Sequence, residues 1–216
     1  VAVSLVRIYA IALNTYREAV RDKILFGVLV LAAGVLALTL ALGELSLDQS
    51  MRVVTDLGLA SISMFSVVIA IFLGSSLLYK EIERKTLYVI LPKPIARFEF
   101  LLGKYFGIVA TCAVFIAIMG ALQLLVTSIQ AGASMVLVVT VPAALLVALG
   151  IAFYFAKDRT VVLPIWSIVA LGASAWLCST VDVELFRLLA SLVLSVGEVL
   201  ILAAVALLFS SFSTPF

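Results

Sequence analysis

The sequence contains no histidine and only two cysteines among its 216 residues, and charged residues make up only 12% of it. Without histidine, a histidine general base, a Ser–His pair and a histidine metal site are excluded. Cys112 and Cys178 stand alone within apolar runs, form no Cys-x-x-Cys motif, and are expected to be small buried residues. The chain also has no glycine-rich phosphate loop, so no nucleotide site of that kind is expected.

Hydrophobic residues are correspondingly abundant, at 65% of the chain, and the mean hydropathy is +1.34. A soluble domain is about half apolar and about a quarter charged. The net charge is only +2, and no polybasic tail is present that could hold nucleic acid. The composition therefore excludes a soluble globular enzyme, a disordered segment and a nucleic-acid reader, and it predicts a multi-pass membrane protein.

Six apolar runs are long enough to cross a bilayer, which takes about 20 residues in a helix. They are continuous and not alternating, so they do not fit the strands of a membrane barrel. Because backbone groups in hydrocarbon must be paired within the segment, each run is predicted to be a helix. The expected fold is an all-α membrane helix bundle, with a transmembrane domain at 24–216 and spans at about 24–43, 57–79, 105–129, 135–156, 161–180 and 187–209.

The basic residues of the connecting segments predict the orientation. Twelve of the 14 lie on one side of the predicted spans, and Arg52 and Arg187 lie on the other among several acids. Basic loops stay in the cytoplasm. We therefore expect both termini to be cytoplasmic.

A separate helix is predicted over residues 3–22, within an N-terminal segment at 1–23. Arg7, Arg17 and Arg21 fall on one side of this helix, and apolar residues occupy much of the rest. A basic amphipathic helix of this kind lies in the lipid headgroup plane. An ordinary cytoplasmic extension of the first span is the alternative.

The loop at 80–104 carries the most informative pattern. A short charged helix is expected first, and Pro92 should stop it because the residue before a proline is disfavoured in a helix. Pro94 suits the first turn of a second helix that runs into the third span. The prediction is a stiff proline elbow that docks a cytoplasmic partner. The alternative is a plain solvated connector whose positive charge fixes the topology.

Several segments together resemble the membrane subunit of type-2 ABC transporters, in the group that includes the nitrous-oxide-reductase maturation permease. They are Asn14–Lys23, Tyr79–Thr86, Leu91–Ile95 and Phe100–Tyr105, with a further match from Glu198 to Pro215. The resemblance implies that residues 3–22 are an interfacial elbow helix and that the loop is a coupling helix docking on a separate ATPase. The implied coupling residues are Glu81, Glu83, Arg84, Thr86, Lys93, Pro94 and Arg97.

The same resemblance implies two permease copies, as a homodimer, with two ATPase subunits in a bacterial inner membrane. ATP and magnesium would then belong to the partner, and this chain would hold no cofactor and no metal and would not itself be an enzyme. Two features depart from the family pattern. Residues 134–187 hold two additional spans, and the chain stops at Phe216, so we expect two further spans to follow in the parent reading frame.

Polar residues at membrane depth are few. Glu198 lies near the middle of the last span, where a charged carboxyl is costly, so it is either a functional residue or a protonated group bonded to a neighbouring helix. Gln123 is expected to bond one helix to another, and Gly103 and Gly107 form a small-xxx-small pair suited to close helix contact.

Three functions are compatible with these features. The first is an export permease surrounded by membrane lipid and driven by a partner ATPase. The second is a membrane anchor or scaffold that recruits a cytoplasmic partner without transport. The third, a proton-coupled carrier using Glu198, would need inverted repeats, and the halves of the sequence show no internal symmetry.

Overall fold

A computed structural model describes residues 2–46, 49–83, 97–156, 159–181 and 183–212. Within these ranges the chain is all-helical, with seven helices and no strand. In chain order they are α1 (Ala2–Val20), α2 (Lys23–Leu45), α3 (Ser50–Glu83), α4 (Arg97–Gln130), α5 (Met135–Phe155), α6 (Arg159–Ser179) and α7 (Leu185–Phe212).

Six of the helices in the described residues are long and apolar enough to cross a membrane. Their candidate spans are Lys23–Leu45, Ser50–Ser75, Phe98–Gln130, Met135–Phe155, Val161–Ser179 and Leu185–Ser210. The predicted membrane helix bundle, with six spans and a separate N-terminal helix, is confirmed. The second and third spans belong to helices of 34 residues each, which are longer than the runs of apolar sequence because polar residues extend them.

Two of the connections show why the helices end where they do. Asp22 follows α1 and caps α2, because its Oδ1 accepts a hydrogen bond of 3.1 Å from the Ile24 amide. After α4, Gly132 has a φ of +77°, which glycine adopts without steric cost. The Ala133 amide then donates to the Ser128 carbonyl at 3.0 Å and the Gly132 amide to the Ile129 carbonyl at 3.1 Å, which is a Schellman motif.

Hydroxyl side chains within the spans bond to their own helix. Thr111 donates to the Gly107 carbonyl at 2.9 Å, and Ser128 donates to the Leu124 carbonyl at 2.7 Å. A hydroxyl in hydrocarbon needs a partner, and a carbonyl three or four residues earlier supplies one. These serines and threonines therefore fit the spans without requiring a polar cavity.

The chain divides into two compact units. The first comprises residues 1–26, 66–113 and 196–216. Within it α3 and α7 approach closely at Gly74, where an added Cβ would lie 2.7 Å from the Ala206 Cβ. The Tyr105 hydroxyl of α4 donates to the Leu200 carbonyl of α7 at 3.1 Å.

The second unit comprises residues 27–65 and 114–195. Its core cluster is formed by Leu124, Cys178 and Leu188, all buried. The α5 and α6 helices pack against each other, and the Trp166 indole donates to the Leu145 carbonyl at 3.0 Å. None of the side chains of α5 is fully buried, as expected for a helix whose surroundings are mostly lipid.

Candidate functional site

The first unit holds a close contact between α1 and the beginning of α4, which we call the α1–α4 contact. It is made by Gly103 and Gly107 of α4 against Ile8, Ile11, Ala12 and Thr15 of α1. A Cβ on Gly103 would lie 2.6 Å from the Ile11 Cβ and 3.1 Å from the Ile8 carbonyl oxygen. Glycine therefore lets α1 approach the backbone of α4 directly.

The second glycine repeats this arrangement one turn further along. A Cβ on Gly107 would lie 2.5 Å from the Thr15 Cβ and 2.8 Å from the Ala12 carbonyl oxygen. Thr15 is itself buried, with 4% of its surface exposed. Gly103 and Gly107, the small-xxx-small pair, therefore pack directly against the N-terminal helix α1. The sequence did not indicate that α1 would be the helix they contact.

An ion pair lies beside the two glycines. The Arg7 Nη1 of α1 is 3.9 Å from the Glu99 Oε2 of α4. The Glu99 side chain is only 8% exposed, against 41% for Arg7. Among the described residues, Glu99 Oε2 accepts no hydrogen bond. A buried carboxylate needs a compensating charge, so Arg7 ties the first turns of α1 to the first turn of α4.

A buried lysine follows in the same part of α4. Lys104 is 2% exposed, and its ammonium lies 5.1 Å from the centre of the Phe100 ring. A cation within about 6 Å of an aromatic face is stabilised by the ring electrons. The structure thus packs Lys104 into the protein, within the second helix that was predicted to run into the third span.

Tyr16 completes the inner face of α1. It is 4% exposed, and its hydroxyl has no hydrogen-bond partner among the described residues. Burial raises the pKa of Tyr16 to about 12, because the phenolate would be poorly solvated there. The residue is therefore neutral at physiological pH and contributes apolar packing.

Another part of the α1 surface is apolar and exposed. Leu5, Val6 and Tyr9 each expose more than 60% of their surface. One face of the helix thus packs on α4, while another presents large apolar side chains. This pattern is typical of a helix lying at a membrane surface.

The predicted coupling residues lie at or between the ends of two long helices. Glu81 and Glu83 are in the last turn of α3, and Arg97 is the first residue of α4. The remaining four, Arg84, Thr86, Lys93 and Pro94, lie outside the described residues, as does the predicted Pro92–Pro94 elbow.

The two predicted membrane-embedded residues have different surroundings. Gln123 is 1% exposed, and its Nε2 donates to the Val54 carbonyl at 3.1 Å, from α4 to α3. The expected interhelical hydrogen bond is thus present. Gly58 of α3 lies directly against the Gln123 amide. Glu198 lies on the exposed side of α7.

Within the described ranges, no group of three or more His, Cys, Asp or Glu residues is placed to hold a metal ion. Neither family models, curated proteins nor solved structures provide a match to the chain.

Proposed function

We propose that this chain is the membrane permease subunit of an ATP-driven exporter, and that two copies form the transport pathway in a bacterial inner membrane. A separate ATPase would dock on the cytoplasmic segment at 80–104. The sequence resemblance to type-2 ABC permeases is the origin of this proposal. The α1–α4 contact is the structural observation that supports it best.

The support comes from the position of the contact along the chain. The segment at 80–104 ends in the first two turns of α4, which begins at Arg97. The α1 helix is attached to those turns by Gly103 and by the pairing of Arg7 with Glu99. A displacement of the segment by a docked ATPase would therefore move α1 and the start of α4 together, because close-packed contacts transmit movement and do not absorb it.

The charge distribution of the chain agrees with this assignment. Twelve basic residues lie on the side of the membrane that the proposal makes cytoplasmic, the side on which α1 and the 80–104 segment would meet an ATPase. ATP binding would belong to the partner, because the sequence has no phosphate loop.

Affinity purification of the tagged chain from its native membranes in mild detergent, followed by mass spectrometry, tests the proposal. An ATPase with a phosphate loop should co-purify. The double variant Glu81→Lys/Glu83→Lys should lower its recovery about tenfold or more, since reversed charges at an interface meet like charges on the partner. ATP hydrolysis by the purified complex should fall in parallel.

The matched control is Glu44→Lys, the same charge reversal at an exposed position near the end of α2, on the opposite predicted side of the membrane. It should leave recovery of the ATPase unchanged. Normal recovery and hydrolysis with the double variant would refute the coupling assignment. A partner without a phosphate loop would instead favour the membrane scaffold.

A further inference from the structure

An open cavity of about 450 Å³ lies in the second unit, where α3 and α7 begin. Its rim carries Arg52 and Asp56 from α3, with Glu184 and Arg187 from the start of α7, and its floor includes Leu59 and Leu188. We call it the charged-rim pocket. Its volume falls within the range of small-molecule sites, about 300–1,000 Å³.

Among the residues that the structure describes, the rim holds two positive and two negative groups in loose pairs. Arg52 Nε lies 3.7 Å from Asp56 Oδ2, and Arg187 Nη1 lies 3.6 Å from Glu184 Oε2. All four side chains are between 63% and 79% exposed. Exposed pairs of this kind contribute little to stability, so a ligand can replace either partner at small cost.

The floor of the pocket is apolar. Leu188 is 5% exposed and belongs to the core cluster with Leu124 and Cys178, and Leu59 packs against that cluster. A fully charged ligand would leave this surface uncovered. The pocket therefore suits a molecule with a charged end and an apolar end.

The signs of the rim charges restrict the charged end. A simple anion would be attracted by the two arginines and repelled by Asp56 and Glu184. A simple cation would be attracted by these two carboxylates and repelled by the arginines. A zwitterion allows a phosphate to contact an arginine and an ammonium to contact a carboxylate. The pocket also lies where the spans Ser50–Ser75 and Leu185–Ser210 begin, which is the depth of lipid headgroups in a bilayer.

We propose that the charged-rim pocket binds a zwitterionic membrane lipid, with its phosphate and ammonium at the rim and its glyceride part over Leu59 and Leu188. This inference goes beyond the proposed transport function and does not depend on it. It requires no ATPase, and the lining residues that the structure describes belong neither to the α1–α4 contact nor to the 80–104 segment.

Native mass spectrometry of the purified chain in detergent tests the ligand class with three probes. They are a short-chain phosphatidylethanolamine, the phosphatidylglycerol with the same tails, and phosphoethanolamine without tails. We expect the ethanolamine lipid to bind about tenfold more tightly than either of the others, a difference equivalent to about 1.4 kcal/mol. Equal binding of the two lipids would overturn the proposal, and equal binding of phosphoethanolamine would assign the pocket to a soluble zwitterion instead.

Two variants locate the site. The double variant Glu184→Gln/Arg187→Gln removes one charge pair, and Thr55→Phe fills the pocket, since Thr55 also lines it. Each should weaken binding of the ethanolamine lipid about tenfold, whereas Glu44→Gln, at an exposed acid outside the pocket, should not. Unchanged binding in both pocket variants would refute the location. The comparison of lipids uses the unmodified chain, so it decides the ligand class even where a variant fails to fold.

Discussion

Gly107 of α4 and Thr15 of α1 are in such close contact that a Cβ atom on the glycine would lie 2.5 Å from the Thr15 Cβ. A second obstacle is the Ala12 carbonyl oxygen, 2.8 Å from the same position. Neither atom is at the end of a flexible side chain, so neither can rotate away. The attachment of α1 to α4 thus requires glycine at this position.

Gly107→Ala should separate α1 from α4 and destabilise the protein by about 1–3 kcal/mol, the usual cost of an additional methyl group in a packed interface. Thermal unfolding in detergent measures the loss, and limited trypsin digestion at Arg17 and Arg21 reports release of α1. Gly197→Ala is the matched control, because a Cβ on this helical glycine of the same unit meets nothing within 4 Å. Equal effects of the two substitutions would contradict the importance of the contact.

The Arg7–Glu99 pair should respond asymmetrically to loss of one partner. Arg7→Gln leaves a carboxylate that is 8% exposed without its cation, and we expect it to cost about 1 kcal/mol, discounted for the partial exposure of Arg7. Glu99→Gln leaves only a partly solvated arginine and should cost less. Unfolding by denaturant measures both, and the double variant gives their coupling.

The exposed pair Arg187 and Glu184 supplies the comparison, with side chains 73% and 79% exposed. Its single substitutions should change the stability by no more than about 0.5 kcal/mol. If Glu99→Gln lowered the stability more than Arg7→Gln did, burial of the Glu99 carboxylate would not be what determines the cost of breaking the pair.

The buried Tyr16 should make the protein sensitive to alkaline pH. Its pKa is raised from 10.0 to about 12 in the folded state, so the unfolded chain loses the phenolic proton first. The stabilising contribution is complete below pH 10 and is lost as the pH rises toward 12, by roughly 1–3 kcal/mol in all. Unfolding measured between pH 9 and pH 12 should show about this loss.

Tyr16→Phe provides the test of that assignment. The hydroxyl has no hydrogen-bond partner among the described residues, so the substitution should cost little at neutral pH. It should also reduce the loss of stability between pH 10 and pH 12 by about the same 1–3 kcal/mol. An unchanged alkaline profile would show that Tyr16 titrates normally.

Much of this fold was predictable because hydrocarbon leaves few alternatives to a helix. The six apolar runs fixed the number of spans, and Asp22 and Gly132 mark helix ends by residue type. The helical end of α3 and the helical start of α4 were also expected, because the 80–104 segment predicted a short charged helix first and a second helix that runs into the third span.

The candidate site was predictable only in part. The spacing of Gly103 and Gly107 indicated a close helix contact, but it could not indicate that α1 is the partner, because pairing between distant segments depends on the tertiary structure. The burial of Glu99 and Lys104 likewise could not be predicted from the sequence, since charged residues near the end of a span are usually solvated. The interhelical hydrogen bond of Gln123 was easier to predict, because a side-chain amide within a span needs a hydrogen-bond partner on another helix.

Gly58 and Gln123 should be energetically coupled. A Cβ on Gly58 would collide with the Gln123 amide, which is buried and donates to the Val54 carbonyl. Gly58→Ala should therefore cost about 1–3 kcal/mol in the native sequence. In a Gln123→Ala background it should cost much less, because the obstructing amide is gone. Thermal unfolding of the four proteins gives the coupling, and additive effects would place the two residues out of contact.

Cysteine labelling should reveal the predicted orientation, using positions that flank α2. Arg21 precedes this helix and Glu44 lies in its last turn, and both are exposed. The native Cys112 and Cys178 are buried, so they should not react with the maleimide in the folded protein. Any labelling can then be assigned to the introduced cysteine. A membrane-impermeant maleimide should label Glu44→Cys in intact cells and Arg21→Cys only after permeabilisation, because basic flanks remain cytoplasmic. The opposite result would place the 80–104 segment outside the cell, where no ATPase could dock on it.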